Sequence, residues 1–256
     1  MTKVWIKRSL PWLVVIGSLG LWQLTCTVLQ IQSFILPDPI DVTAALMKFP
    51  KAIFINAMYT LFSTLTGFAL AVAFGLALGL VVGASRTVYD GLYPIMIAFN
   101  SVPKVAIVPV LVIWFGIGVV PAIITAFAIS FFPIVVNVAT GLATIEPEML
   151  DVMRVLGASK WKILVKIGIP RAMPFFFASL KVAITLAFVG SVVAETVASN
   201  AGIGNLMIAA SARFDVPLIF AGLVVIAAMG VILYEFFAYL ERRVTFWAVR
   251  ENGMVS

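Results

Sequence analysis

A chain of 256 residues, 63% of them hydrophobic and only 11% charged, with a mean hydropathy of +1.16, lies far from the soluble range of about 45 to 50% apolar and about 25% charged residues. This is the composition of an integral membrane protein. The formal net charge of +6 does not point to nucleic acid, because the basic residues fall in short loops between apolar runs, as the positive-inside bias produces.

A membrane-spanning helix needs about 20 mostly apolar residues, and six segments meet that requirement: Leu10 to Leu29, Asn56 to Gly83, Gly91 to Phe115, Val119 to Gly141, Pro174 to Ala198 and Pro217 to Leu240. The start, MTKVWIKRSL, is basic and runs into apolar sequence without a small-residue cleavage site, so it is read as a retained first span rather than a signal peptide. Threading the six spans through a bilayer puts twelve lysines and arginines on one side and three (Lys48, Lys51 and Arg213) on the other, with Lys104 and Lys181 inside spans. The richer side is expected to be cytoplasmic. It holds both termini and the loop from Glu146 to Pro170.

The first outer loop, LPDPIDV, is expected to lie along the membrane surface. In the second span Gly75, Gly79 and Gly83 form a doubled small-xxx-small pattern, which permits close helix approach in lipid and is read as packing within the protomer. The third span contains Pro94, Pro103 and Pro109. Each removes a backbone hydrogen bond and invites a kink, and irregular helices at membrane depth occur where they line a cavity or are buried in protein. Lys104 sits near the middle of this span, where burying a cation costs at least about 2.5 kcal/mol, so it is either functional or reaches an interface. The fourth span carries Pro133 and Asn137, the fifth Lys181 and Glu195, and the sixth Glu235. Pro103, Lys104, Pro109, Asn137 and Glu195 are the candidate pathway residues. For Glu195 and Glu235, both near interfaces, a structural carboxylate is the plainer reading beside a proton-relay role.

The stretch EPEMLDVMRVLGASKWKILVKIGIP, Glu146 to Pro170, is the longest polar interruption. Pro147 suits a first helical position, Met149, Val152, Met153 and Leu156 recur at helical spacing, and Gly157 is placed to end the helix in a left-handed cap. Ser159 can cap a second short helix from Lys160 to about Ile167. Two short amphipathic helices make a docking element on the cytoplasmic side.

No phosphate-binding loop of the G-x-x-x-x-G-K-[ST] type occurs, no histidine is present, Cys26 is the only cysteine, and the acidic residues are not clustered. A zinc site or a disulfide cannot be assembled from this chain, and catalysis by the chain alone is not expected. An ion-gradient transporter or channel using Lys104, Glu195 and Glu235 as relays is the alternative, although the two halves show no inverted repeat of hydropathy. A scaffold without transport would leave three prolines in one span unexplained.

Asp151, Val152 and Met153, followed after three residues by Gly157, after nine more by Ile167, and then by Ile169 and Pro170, resemble the EAA loop of ATP-binding-cassette importer permeases, whose pattern is Glu-Ala-Ala, x3, Gly, x9, Ile, x, Leu, Pro. Gly157, Ile167 and Pro170 are identities; Asp151, Val152, Met153 and Ile169 are replacements. SVPKVAIVPVLVIWFGIG, FFPIVVNVATGL, VLGASKWKILVKIGIPRAMP and GIGNLM are similar to segments of permeases for nitrate, aliphatic sulfonates, taurine and bicarbonate, a group that also carries thiamine-precursor pyrimidines, riboflavin and aromatic acids. The likeness runs from about Leu36 to Trp247.

The resemblance implies an all-α type I importer permease with six transmembrane helices and cytoplasmic termini. It further implies one permease domain over 1–256 with core spans at about 56–240, and residence in a prokaryotic inner or plasma membrane. The partners it implies are a second copy of the chain, two cytoplasmic ATPases that carry ATP and magnesium, and an external substrate-binding protein. The chain itself binds no cofactor in this reading. Asp151, Val152, Met153, Arg154, Leu156, Gly157, Ala158, Ser159 and Lys160 would form the coupling helix and its turn. The larger Val152 and Met153 would hold that helix further from its ATPase than alanines do.

Overall fold

The computed structural model describes residues 2–247. Eleven helices follow in chain order among them: α1 (Thr2–Val28), α2 (Pro39–Lys48), α3 (Pro50–Gly83), α4 (Arg86–Ser101), α5 (Val108–Phe115), α6 (Val119–Ala143), α7 (Pro147–Val155), α8 (Lys160–Ile163), α9 (Ile169–Ala198), α10 (Ile203–Ser211) and α11 (Val216–Val244). A 3₁₀ turn, Lys104–Ile107, precedes α5, and a π turn, Leu164–Gly168, joins α8 to α9.

Among the described residues four helical runs are long and apolar enough to cross a membrane: Pro50–Gly83, Val119–Ala143, Trp161–Ala198 and Val216–Val244. The bent pair Arg86–Ser101 and Lys104–Phe115 makes a fifth. The expected first span falls on α1, whose described apolar part is Leu13–Val28.

Helix α6 forms the middle of the bundle, with α3 on one side and α9 on the other. The glycine stripe of α3 explains the first contact. A Cβ on Gly67 would stand 2.6 Å from the Ala126 Cβ, and one on Gly83 would stand 2.8 Å from the Leu142 Cβ. Residue numbers rise together along this seam, so α3 and α6 run parallel, backbone close to backbone. The expectation of packing within the protomer holds. On the other side Gly141 lies against Ala172, and Gly190 against Ala126, an antiparallel pairing of α6 with α9. Phe68, Ala71, Ile134, Val138, Ala183, Ile184 and Ala187 fill the space between the three helices.

Two expectations need correction. The third span is not one kinked helix: α4 stops at Ser101, Val102 is extended, and the chain turns by 68° before α5. Pro103 causes the stop, because its ring disfavours the helical conformation at Val102 and it has no N–H to continue the ladder. The fifth span does not begin at Pro174, and the short helix that starts at Lys160 does not end near Ile167 but runs on into that span. Trp161–Ala198 is one run of 38 residues. Pro170 cannot donate to Lys166, and the ladder absorbs that loss in the π turn, where the Ile169 N–H reaches back to the Leu164 carbonyl.

The outer loop expected on the surface contains α2, started by Asp38, whose carboxylate accepts from the Asp41 N–H at 2.8 Å and the Gln23 amide at 2.9 Å. Those bonds to the ionised form hold Asp38 below its ordinary value of 3.8. Helix α2 packs with α10, α11 and the start of α3 through Val42, Ala45, Ile53, Ile203, Leu218 and Ala221.

Candidate functional site

The polar loop and the candidate pathway residues occupy different parts of this bundle. In the loop, Pro147 begins α7, Glu148 lies in its first turn and Arg154 in its last, the charge order that suits the helix dipole. The helix ends as its sequence indicated. Gly157 has φ +72°, its N–H bonds the Arg154 carbonyl at 2.9 Å, and the Ala158 N–H bonds the Met153 carbonyl at 2.9 Å. This pair of bonds is a Schellman cap. Nothing lies within 4 Å of where a Gly157 Cβ would be, so glycine is required there by backbone conformation and not by crowding. The Ser159 hydroxyl accepts from the Lys162 N–H at 3.3 Å and opens the next helix.

Met149 and Met153 are half-buried, whereas Val152 (59%), Val155 (88%), Leu156 (75%) and Trp161 (70%) are exposed. The apolar face expected from spacing is therefore split: its methionines turn toward the bundle, and Val152 and Leu156 turn away. Val155 and Trp161 join the exposed group and were missed in the sequence. Residues 152, 155 and 156 share one helix face, which was the available signal for Val155. Around them the Arg154–Asp151 ion pair at 2.7 Å is exposed on both sides. The Arg171–Glu146 pair at 3.7 Å spans the two ends of the loop. Exposed pairs of this kind contribute about 0 to 1 kcal/mol.

The pathway candidates separate. Pro103 and Pro109 are exposed at the two ends of the 3₁₀ turn, and Lys104 is half-buried. The Lys104 ammonium donates to the Asn100 carbonyl and to its side-chain oxygen, each at 2.9 Å. It thus caps the end of α4, satisfying a carbonyl that the break at Pro103 orphans. Asn100, four residues back, was the missed partner. The Asn137 amide donates to the Pro133 carbonyl at 2.8 Å, so it serves its own helix.

Glu195 is buried, 2% exposed. Its carboxyl accepts from Thr60 at 2.8 Å, Ser63 at 3.1 Å, Ser191 at 3.4 Å and the Gly204 N–H at 3.3 Å. None of these four donors was identified from the sequence. Thr60 and Ser63 lie three apart on one face of α3, and Ser191 lies one turn before Glu195 on α9; this polar periodicity inside apolar helices was the available signal.

Lys181 pairs with Glu241 of α11, both side chains mostly buried, and Glu235 pairs with Arg242 at 3.5 Å. The three groups of the relay reading, Lys104, Glu195 and Glu235, each have a partner within the chain.

A sequence-family profile described as "binding-protein-dependent transport system inner membrane component" matches residues 71–246. The chain belongs to that family. A probable ABC transporter permease protein of Haemophilus influenzae is 33% identical over 244 residues, covering 95% of this chain and 99% of the relative. The riboflavin transport system permease protein RibX of Chloroflexus aurantiacus is 31% identical over 245 residues, covering 95% and 91%. A chain of the MetNI methionine ABC transporter, solved in an inward-facing conformation, superimposes with a TM-score of 0.65 at 18% identity, covering 73% of this chain and 94% of that one. That likeness concerns the fold.

The protein is a non-catalytic permease subunit of an importer, with ATP hydrolysis assigned to a separate subunit. The ion-gradient alternative falls with the family.

Proposed function

We propose that the permease pairs with a second copy of itself in the prokaryotic inner or plasma membrane, carries two ATPases on the face that holds the 146–170 loop, and receives a small anionic solute from an external binding protein. The observation that carries the reading is the loop itself. It has a rigid glycine cap, and Val152, Val155, Leu156 and Trp161 present apolar surface that nothing among the described residues covers. Exposed apolar groups held on a well-formed helix suit a protein partner.

The ATPases would bind ATP and magnesium, and this chain would bind neither. Closure of the ATPases on ATP would displace the two loops and rock the helices, and preferential ATP binding to the closed state would bias the path outward. Asp151, Val152, Arg154 and Leu156 would rest in the ATPase groove, with Gly157, Ala158, Ser159 and Lys160 at its edge.

Sulfonate-, taurine- or nitrate-type anions are the proposed cargo, supported by the resemblance and by Lys104, whose ammonium keeps a third N–H beyond its two bonds to Asn100. The riboflavin relative marks the breadth of solutes among similar permeases. Purification of the tagged chain from its native membrane tests the assembly: an ATPase retained in fixed ratio is expected. Full uptake by the chain alone in liposomes with an ion gradient would overturn it.

A further inference from the structure

The helical run that begins beside the loop ends, 38 residues later, at Glu195 and Ala198. At about 1.5 Å per residue it is about 57 Å long, enough to cross a bilayer from end to end. Its far end is joined to α10 in an unusual way. Helix α10 has no N-cap side chain of its own, since Gly202 stands at that position. The N–H groups of its cap and of its first two residues are instead accepted by side chains of other helices: Gly202 by Asn56 at 2.8 Å, Ile203 by Thr60 at 2.9 Å, and Gly204 by Glu195 at 3.3 Å.

A buried carboxyl group is costly, and no cation pairs with Glu195 among the described residues. Its cost is offset by four donors drawn from α3, α9 and α10. An apolar side chain could fill the same volume, but it could not tie three elements into one register. The fit is also close from the other side. Gly202 has φ +105°, and a Cβ there would collide with the Glu195 carboxyl.

We propose that Glu195 is a positioning residue for transport: it pins α10 to α3 and to the Trp161–Ala198 rod, so that the end of the bundle opposite the loop follows displacements of the loop. The proposal rests on the coupling role assigned to the loop above. It replaces a place for Glu195 on the solute path with a mechanical one. The irregularities along the rod, the π turn at Leu164–Gly168 and the interior Pro174, both lie toward the loop and far from Glu195, so movement beyond Pro174 is transmitted by regular helix.

The test compares Glu195→Ala, Glu195→Gln and Thr60→Val in the assembled complex in nanodiscs and liposomes. Glutamine keeps an oxygen for Thr60 and Gly204 and offers its amide to the hydroxyls of Ser63 and Ser191. Hydrogen exchange over Gly202–Leu206 is expected to accelerate by about tenfold or more in Glu195→Ala and Thr60→Val, the scale of losing a hydrogen bond to a buried group, and to stay within about twofold in Glu195→Gln. Uptake per ATP hydrolysed should fall by about tenfold in the first two and be preserved in Glu195→Gln, whereas hydrolysis itself continues.

Unchanged exchange in Thr60→Val, a Glu195→Gln variant as defective as Glu195→Ala, or normal uptake per ATP with α10 freely exchanging would each overturn the proposal. Should Glu195→Ala fail to insert, Thr60→Val and Glu195→Gln decide the matter. Wild-type uptake that ignores ATP would defeat the importer assembly instead, and the exchange data would still report on the pinning of α10.

Discussion

The two ends of the Trp161–Ala198 run are finished in opposite ways. At the Glu195 end, the carboxyl group, the hydroxyls of Thr60, Ser63 and Ser191 and the first amides of α10 all find partners inside the chain. At the loop end, Val155 and Trp161 stand exposed beside ion pairs that are themselves exposed. Burial and saturation mark a junction that the protein completes alone, and apolar exposure on a capped helix marks one completed by another molecule. The contrast makes the Glu195 end an internal joint and the loop end an open contact surface.

The largest effect is expected from Gly157→Val. A left-handed conformation costs an ordinary residue about 1 to 2 kcal/mol, and a β-branched one more, so the cap should open and uptake should be lost. Because no neighbour crowds Gly157, the amount of permease in the membrane should stay near normal. Uptake and membrane content measured on the same cells check both halves, and normal uptake would remove the loop from coupling.

Lys181→Met should act on stability rather than coupling. It leaves the Glu241 carboxylate mostly buried without its cation, and a thermal-melt loss equivalent to roughly 2 kcal/mol or more is expected, recovered in part by adding Glu241→Gln. Lys104→Met is smaller. Loss of the cap on the Asn100 carbonyl should cost about 1 kcal/mol, and the substrate requirement for uptake should rise; unchanged uptake kinetics would take Lys104 out of the solute path.

The smallest effect concerns Asp38. Its carboxyl is held below 3.8 in the folded chain, so its contribution is complete above that value and is lost as pH falls through the folded-state value. The melting temperature of Asp38→Asn should match the wild type in strong acid and fall slightly below it near neutrality, and an equal gap at all pH values would contradict the assignment.

Much of the loop was legible because its signals are local. Proline at the first helical position, glycine at a left-handed cap and serine before a new helix act within a few residues, and the structure places Pro147, Gly157 and Ser159 in those positions. The glycine stripe of α3 was legible for a related reason, since only small residues allow so close a seam. Prolines misled in both directions. Pro103 breaks a span that read as continuous, and Pro170 sits inside a run that read as two elements. Sequence alone does not show whether a neighbouring turn can absorb the missing N–H.

The Glu195 junction was the least legible part, because its partners, Asn56, Thr60, Ser63, Ser191 and the backbone of 202 to 204, meet only after the helices pack. A lone intramembrane carboxylate invites a proton-relay or solute-path reading, and its register-setting partners are invisible until α3, α9 and α10 are side by side. Helix α10 itself, Ile203–Ser211, was not among the expected elements.

The central claim is that the loop end, and not the Glu195 end, meets the ATPase. Cys26 is the only native thiol, so a Cys26→Ser background can carry Leu156→Cys at one end or Ile208→Cys at the other, each labelled with a maleimide photo-cross-linker in the assembled transporter. Cross-links from position 156 to the ATPase, altered by ATP with vanadate, and none from position 208 are the predicted result. ATPase cross-links from position 208, or none from position 156 in a complex that transports, would contradict the account.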